Sequence, residues 1–225
     1  MKVKLVSYSQ PAGEIQGLEN VQDLIAYAAR VSNPSNQLNT ETSAKLLNYL
    51  AKHKHWSPFE MVSACLEIET TRDIARQILR HRSFSFQEFS QRYADPTTDL
   101  DFEIRDARLQ DPKNRQNSVD LDIENNEQDA ALYLLWNDKQ QVVIDAAKEA
   151  YTWAIENGIA KEQARAVLPE GNTVSRMYMN GTLRSWIHYI ELRAANGTQL
   201  EHMEIARAVA KVITEIFPLA EDYIS

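Results

Sequence analysis

Cysteine is nearly absent: Cys65 stands alone among 225 residues. A lone thiol excludes any intrachain disulfide and agrees with a reducing compartment. Glycine and proline are scarce too, at six and seven, so the chain is neither fibrous nor of low complexity. No apolar run approaches the roughly 20 residues that a bilayer span needs. Met1-Lys2-Val3-Lys4 lacks the apolar stretch of a signal peptide. The expectation is a cytoplasmic protein with no membrane partner. Positive charge is also short. Lys and Arg number 24 against 32 Asp and Glu, a net charge of -8, which counts against a nucleic-acid partner. There is no Gly-rich dinucleotide fingerprint and no phosphate-loop lysine. No His, Cys, Asp or Glu set has metal-ligand spacing, so no metal is expected.

What is present is mostly helical periodicity with a few strands. Residues 2–8 alternate weakly and read as a strand. A helix follows over about 20–31, with Val21, Leu24, Ile25 and Ala28 on one face. A second, with Thr40 as its N-cap, runs to about Lys52. His53 to Pro58 reads as a loop, because Ser57 precedes a proline. Met61 to Thr70 alternates cleanly, with Val62, Ala64, Leu66 and Ile68 on one side. Thr71 caps the next helix, whose Ile74, Ala75, Ile78 and Leu79 point inward and whose Arg72, Arg76, Gln77 and Arg80 face out. Gln77 and Arg80 are three apart and can share a ligand.

Residues 95–125 are polar and read as a long loop, with room for a strand at Phe102 to Arg105. A lid, an interface arm and disorder all remain open for this segment. A long amphipathic helix covers about 127–157, carrying Leu132, Leu135, Trp136, Val143, Ala147, Ala150, Tyr151 and Ala154, and ends at Asn157-Gly158. A short helix from Lys161 to Leu168 stops at Pro169, and two more cover about 182–195 and 199–217. The class is an α-rich α/β (α+β) chain, 1–225, built as one unit around one small sheet.

Arginine is concentrated between Arg72 and Arg92, five residues against Asp73 and Glu88 alone. A solvated helix C-terminus accounts for Arg80-His81-Arg82. It does not account for Ser85, Glu88, Ser90 and Arg92 following among aromatic residues. Serine hydroxyls beside guanidinium groups make a phosphate cradle. A nucleic-acid module could use the same arginines as a track and Phe84, Phe86, Phe89 and Tyr93 for stacking, but the net charge opposes it.

Arg80-His81-Arg82, then seven residues, then Ser90, with Arg92 two further on, resembles the signature of flavin-dependent thymidylate synthases. Four more blocks resemble that family in its order: Ala28 to Ser32, His53 to Glu60, Ala164 to Pro169, and Leu183 through Leu192-Arg193. The resemblance implies a small, mostly antiparallel sheet with long helices and a homotetramer whose active sites are shared between subunits. It implies reductive methylation of dUMP to dTMP, with methylenetetrahydrofolate as carbon donor and NADPH as reductant through FAD. The expected dUMP contacts are Gln77, Arg80, Arg165 and Arg193 from one subunit and Glu88, Ser90 and Arg92 from a neighbour. Arg193 is the expected catalytic residue, favouring ionisation of uracil N3 as a fixed cation. The expected FAD contacts are His55, Ser57, Arg80, His81, Arg82, Glu88, Thr182, Leu183, Arg184 and His188. Two places depart from the commonest pattern: Gln87, and an apparent insertion at Asn180-Gly181-Thr182. Cys65 has no base beside it in the sequence and reads as a packing residue rather than a nucleophile. A cellular and a viral source would look alike; for a viral one the compartment is the host cytoplasm.

Overall fold

The computed structural model describes residues 1–223. Strand β1 (Lys2–Tyr8) is followed by α1 (Val21–Ala29) and α2 (Ser43–Lys52). A 3-10 turn, Ser57–Met61, leads into β2 (Ser63–Thr71), which runs without a loop into α3 (Arg72–Ile78). Then come β3 (Ser85–Glu88), the single turn α4 (Pro96–Asp99), and the short strands β4 (Arg108–Gln110) and β5 (Ser118–Asp120). The second half holds α5 (Glu127–Glu156), α6 (Lys161–Ala164), β6 (Val174–Thr182), α7 (Leu183–Arg193) and α8 (Leu200–Ile216). Among the described residues no helix is long and apolar enough to cross a membrane.

The main sheet has the order β1-β2-β6-β3 and is antiparallel throughout. Its two faces differ. Ala64, Leu66 and Ile68 of β2 and Met177 and Met179 of β6 are buried on one face, with Leu66 opposite Met179 and Ile68 opposite Met177. Against them pack Ile25 of α1, Leu47 of α2, Ile74 and Ile78 of α3, Trp186 and Ile190 of α7, and Ile205 and Val209 of α8. Trp186 is fully buried and its indole N–H donates to the Ala64 carbonyl at 3.0 Å, so the ring is anchored as well as packed. The other face is polar: Lys4 and Tyr178 meet Glu67, while Lys2 and Arg176 meet Glu69. Cys65 lies on that face, opposite Asn180. This is the alternation that β2 shows in the sequence.

Several boundaries differ from expectation. The first turn of α2 follows Thr42, not Thr40, whose carbonyl instead closes a turn with the Ser43 amide. Thr71 does occupy the N-cap position of α3, but its hydroxyl makes no capping bond. It donates to Asp73 and accepts from Arg105, so tertiary partners outcompete the helix end. The polar segment 95–125 is not one loop. Phe102 forms a single bridge to Thr173 in place of a strand over 102–105, and the ordered piece is a hairpin further on, Arg108 pairing with Asp120. Strand β6 is missing from the sequence reading, which treats the stretch between Pro169 and Thr182 as connection.

Helix α5 opens on Asn126, which accepts from the amides of Gln128 and Asp129, and closes at Asn157 with Gly158 at φ 76°. Its apolar anchoring is at the C-terminal end, where Tyr151 and Ala154 pack against Ala164 and Leu168, while Gln140 and Tyr133 tie its earlier turns to Arg105, Asn172 and Asp106 by hydrogen bonds. Leu132, Leu135, Trp136 and Val143 are exposed. Much of the apolar periodicity of this helix therefore faces outward, with no core against it among the described residues.

Candidate active site

Three helix ends converge on one polar cluster. The turn after α3 brings in His81, the last turns of α7 bring Tyr189 and Arg193, and the first turn of α8 brings His202. Arg193 Nε donates to His81 Nε2 at 2.9 Å. The His81 ring lies edge-on to Tyr189 at 4.9 Å. Tyr189 Oη is 3.1 Å from His202 Nε2, and His202 Nδ1 is 3.2 Å from Gln77 Oε1. Burial first, and the Arg193 charge second, push His81 down to about 4. Burial, then Arg193 and His81, push His202 down to about 3. Burial holds the Tyr189 hydroxyl above its ordinary range. At neutral pH the cluster thus contains two neutral imidazoles, a neutral phenol and one cation. Because Arg193 occupies His81 Nε2, the His81 proton sits on Nδ1. Arg193 meets no carboxylate among the described residues, so its charge is free to act on a ligand.

A second cluster forms at the far end of the signature, and it is ionic. Glu88 accepts from Ser175 Oγ at 2.8 Å and lies 3.7 Å from Arg72. Arg72 also reaches Glu170, which Arg76 grips with two nitrogens. The Arg76 hydrogen bond is the main reason the Glu170 carboxyl falls below its usual range. Arg92 pairs with Glu162 at 3.4 Å, and Arg165 donates to the Glu162 carbonyl at 3.3 Å. Ser90 accepts from the Arg92 amide. Arg165 and Arg92 thus share Glu162 as a partner, whereas the expectation groups Arg165 with Gln77, Arg80 and Arg193. The reason is α6, which carries Arg165 at its end beside the loop after β3.

The remaining expected residues line the start of α7 and the loop before β2. Trp56 stacks edge-on to His188 at 5.0 Å, and Arg184 pairs with Glu60. His55 is exposed near Tyr49, and Ser57 opens the 3-10 turn. Thr182 caps α7 through the Ser185 amide at 3.3 Å. The Leu183 side chain is buried, and its amide is bonded to the Val62 carbonyl. Arg80 and Arg82 are exposed at the turn, and neither makes an ion pair among the described residues. The two departures sit in regular structure: Gln87 pairs with Tyr178, and Asn180 with both Ser85 and Cys65. A Cβ at Gly181 would fall 2.4 Å from the Phe84 ring, so a side chain there would have to displace that ring.

Tyr189, Gln199, Glu201 and His202 are not foreseen from the sequence, nor is Arg72 as the cation that Glu88 shares with Glu170. One signal was available for His202: it precedes Ile205, Ala206 and Val209 by helical spacing, which puts an imidazole on the buried face of α8.

Residues 15–219 match the family model described as thymidylate synthase complementing protein. The chain belongs to that family. It is 48% identical over 218 residues to a probable flavin-dependent thymidylate synthase of Paramecium bursaria Chlorella virus 1, covering 97% of this chain and 96% of the relative. It is 48% identical over 219 residues to the flavin-dependent thymidylate synthase of a Synechocystis strain, with the same coverage. A crystal structure of a UMP/dUMP methylase from Streptomyces cacaoi, bound with 5-Br dUMP, superposes with a TM-score of 0.76 at 24% identity, covering 99% of this chain and 93% of that one. That likeness establishes the fold. As a family member the chain is an enzyme, a methyltransferase of the flavin-dependent thymidylate synthase type, and its resemblance at the arginine signature is a family relationship. Among the described residues no group of three His, Cys, Asp or Glu could hold a metal ion.

Proposed function

We propose that the chain converts dUMP to dTMP by reductive methylation, with methylenetetrahydrofolate as carbon donor, NADPH as reductant and FAD as the flavin. The observation that carries this is Arg193: a half-buried cation with no acid partner among the described residues, beside a neutral imidazole. A fixed guanidinium stabilises negative charge developing on a uracil ring without reorganisation. His81 accepts one of its N–H groups and so holds the fork in place while remaining uncharged. Gln77 and Arg80 share the ring end of the nucleotide with Arg193. Ser90, Arg92 and Arg165, with Glu88 behind them, offer hydroxyl and guanidinium donors suited to its phosphate.

The donor set also fits a flavin dinucleotide. Arg80 and Arg82 project unpaired from one turn, suited to a diphosphate, while the Trp56 and His188 rings, His55, Ser57, Thr182 and Arg184 edge the adjoining surface. The chemistry supplied by the bound flavin is hydride transfer to the pyrimidine. The chain's own contribution is to bind, orient and polarise. No thiol nucleophile is required: Cys65 lies on the opposite sheet face, and burial pushes its thiol up.

The two clusters lie at different ends of the signature, and a ligand that uses both is best served by two protomers. The unpartnered Leu132, Leu135, Trp136 and Val143 of α5 support self-association, and a homotetramer is the assembly we infer. The test is dTMP formation with FAD, NADPH and the folate omitted in turn. Each omission is expected to abolish product. A colourless protein that neither binds FAD nor releases tritium from labelled dUMP overturns the reading.

A further inference from the structure

We propose that Glu201, Gln199 and His202 are positioning residues that fix which way the Gln77 amide faces, and that Arg108 ties them to the β4–β5 hairpin. The inference rests on Gln77 being a nucleotide contact.

The argument is one of hydrogen-bond polarity. Glu201 is a carboxylate and can only accept. One of its oxygens takes Arg108 Nη2, and the other takes Gln199 Nε2 at 2.9 Å. Gln199 must therefore present its carbonyl oxygen to the next residue, and it accepts from Gln77 Nε2 at 2.8 Å. That leaves Gln77 Oε1 facing His202 Nδ1 at 3.2 Å, so Nδ1 carries the imidazole proton. His202 Nε2 is then an acceptor, and Tyr189 Oη donates to it at 3.1 Å. Every donor in the line points toward Glu201. Reversing the line would set the Gln199 oxygen against the Glu201 oxygen, two acceptors in contact in a part-buried place. His202 is fully buried and stays neutral at physiological pH, so it can donate at one nitrogen only.

The consequence falls on Gln77. One of its N–H groups is used by Gln199 and the other remains for a ligand. A carbonyl or phosphate oxygen of a nucleotide meets that N–H; a flipped amide would meet it with oxygen. Gln77 cannot hold itself in one orientation, because an amide side chain is nearly symmetric in shape. The anchor for the line comes from outside the nucleotide site. Arg108 starts the hairpin that lies within the polar segment 95–125, and the Glu201 it grips opens α8. This gives the segment a task that its composition does not show.

The test is steady-state dTMP formation by the flavin-loaded enzyme with dUMP varied, comparing Gln77→Ala, Gln199→Leu, His202→Leu, His202→Asn and Arg108→Gln. Gln199 is only part-buried at the helix start, so its leucine variant keeps the test alive if His202 variants fail to fold. Gln199→Leu and His202→Leu are expected to raise KM for dUMP about tenfold, the worth of one hydrogen bond, with kcat held within about threefold. Asparagine places a donor where Nδ1 stood, so His202→Asn should bring KM back to within about threefold of the parent. Arg108→Gln should raise KM by about threefold. The inference is overturned if Gln77→Ala raises KM while Gln199→Leu leaves it unchanged, or if His202→Asn and His202→Leu are alike. If Gln77→Ala itself leaves KM unchanged, Gln77 is no nucleotide contact, and the underlying reading fails with it.

Discussion

The cluster around Arg193 and the cluster around Glu88 are both built on arginine and reach opposite electrostatic states. Around Glu88, Arg72 and Arg76 are matched by Glu88 and Glu170, and the pairs are partly open to solvent. Arg193 itself meets no carboxylate among the described residues, and the neighbours His81, Tyr189 and His202 are neutral. A matched ion pair in water has little field left for a ligand. An unmatched cation among buried neutral dipoles keeps nearly all of it. The proposed function places the chemical step at the Arg193 end and binding at the Glu88 end, and the contrast makes that division testable.

The strongest way to break this contrast is Arg193→Lys. Lysine keeps the charge and loses the planar fork that His81 holds. We expect kcat/KM to fall by about 100- to 1,000-fold, the range for losing a preorganised donor. Arg76→Gln, in the other cluster, should cost less than about threefold. Equal losses in steady-state assays would erase the distinction.

Next in size is a change of packing at the strand that carries α7. Gly181→Ala forces the Phe84 ring to move and should lower stability by roughly 1–3 kcal/mol. A thermal melt unchanged from the parent would show that the ring swings away freely.

The two clusters should also fail at different acidities. His81 and His202 titrate near 6.5 when unfolded and at about 4 and about 3 when folded. Above that ordinary value they add no pH dependence. As pH falls through it, the unfolded chain binds protons that the folded chain refuses, so stability drops. His202 alone contributes up to about 1.4 kcal/mol per pH unit within the window. Glu170 has a depressed carboxyl, so its contribution is present above its ordinary value of 4.5 and is lost as pH falls below it. Denaturant midpoints should therefore decline already between pH 6.5 and 5, and His202→Asn should flatten that decline. A midpoint constant down to pH 5 in the parent would contradict the neutral cluster.

The smallest effect belongs to Cys65→Ser. It should leave dTMP synthesis within about twofold, because the thiol is a half-buried packing group on the far sheet face. Loss of activity in a folded, flavin-loaded variant would restore a nucleophilic thiol to the mechanism.

The sequence makes some of this plain and hides the rest for physical reasons. β2 alternates apolar and polar residues over its whole length because one face is buried and the other wet, and it is legible. β6 obeys the same rule with Met177 and Met179 inward and Arg176, Tyr178 and Asn180 outward. Its inward methionines are not among the β-branched and aromatic residues that mark a strand, and the pattern reads as connection. The arginine signature is visible because charge is conspicuous in a row. His202 and Tyr189 are not, because a buried polar network is defined by partners far apart in the chain: His202 bonds Gln77, and Arg193 bonds His81. The exposed half of α5 is misleading in the opposite direction, since its apolar residues have the spacing of a core helix without the core.

The pairing of β2 with β6 has a consequence for how the molecule comes into being. Thr71 lies opposite Val174 and Ser63 opposite Thr182, and each strand runs straight into a helix that carries site residues. Until the later strand has been synthesised, one edge of β2 has its backbone groups unpaired, and neither His81 nor Gln77 has its partners. Contacts so distant along the chain close slowly. The nascent polypeptide must therefore carry β2 with one edge open until β6 emerges, and the polar cluster around His81 closes only once α7 and α8 have followed.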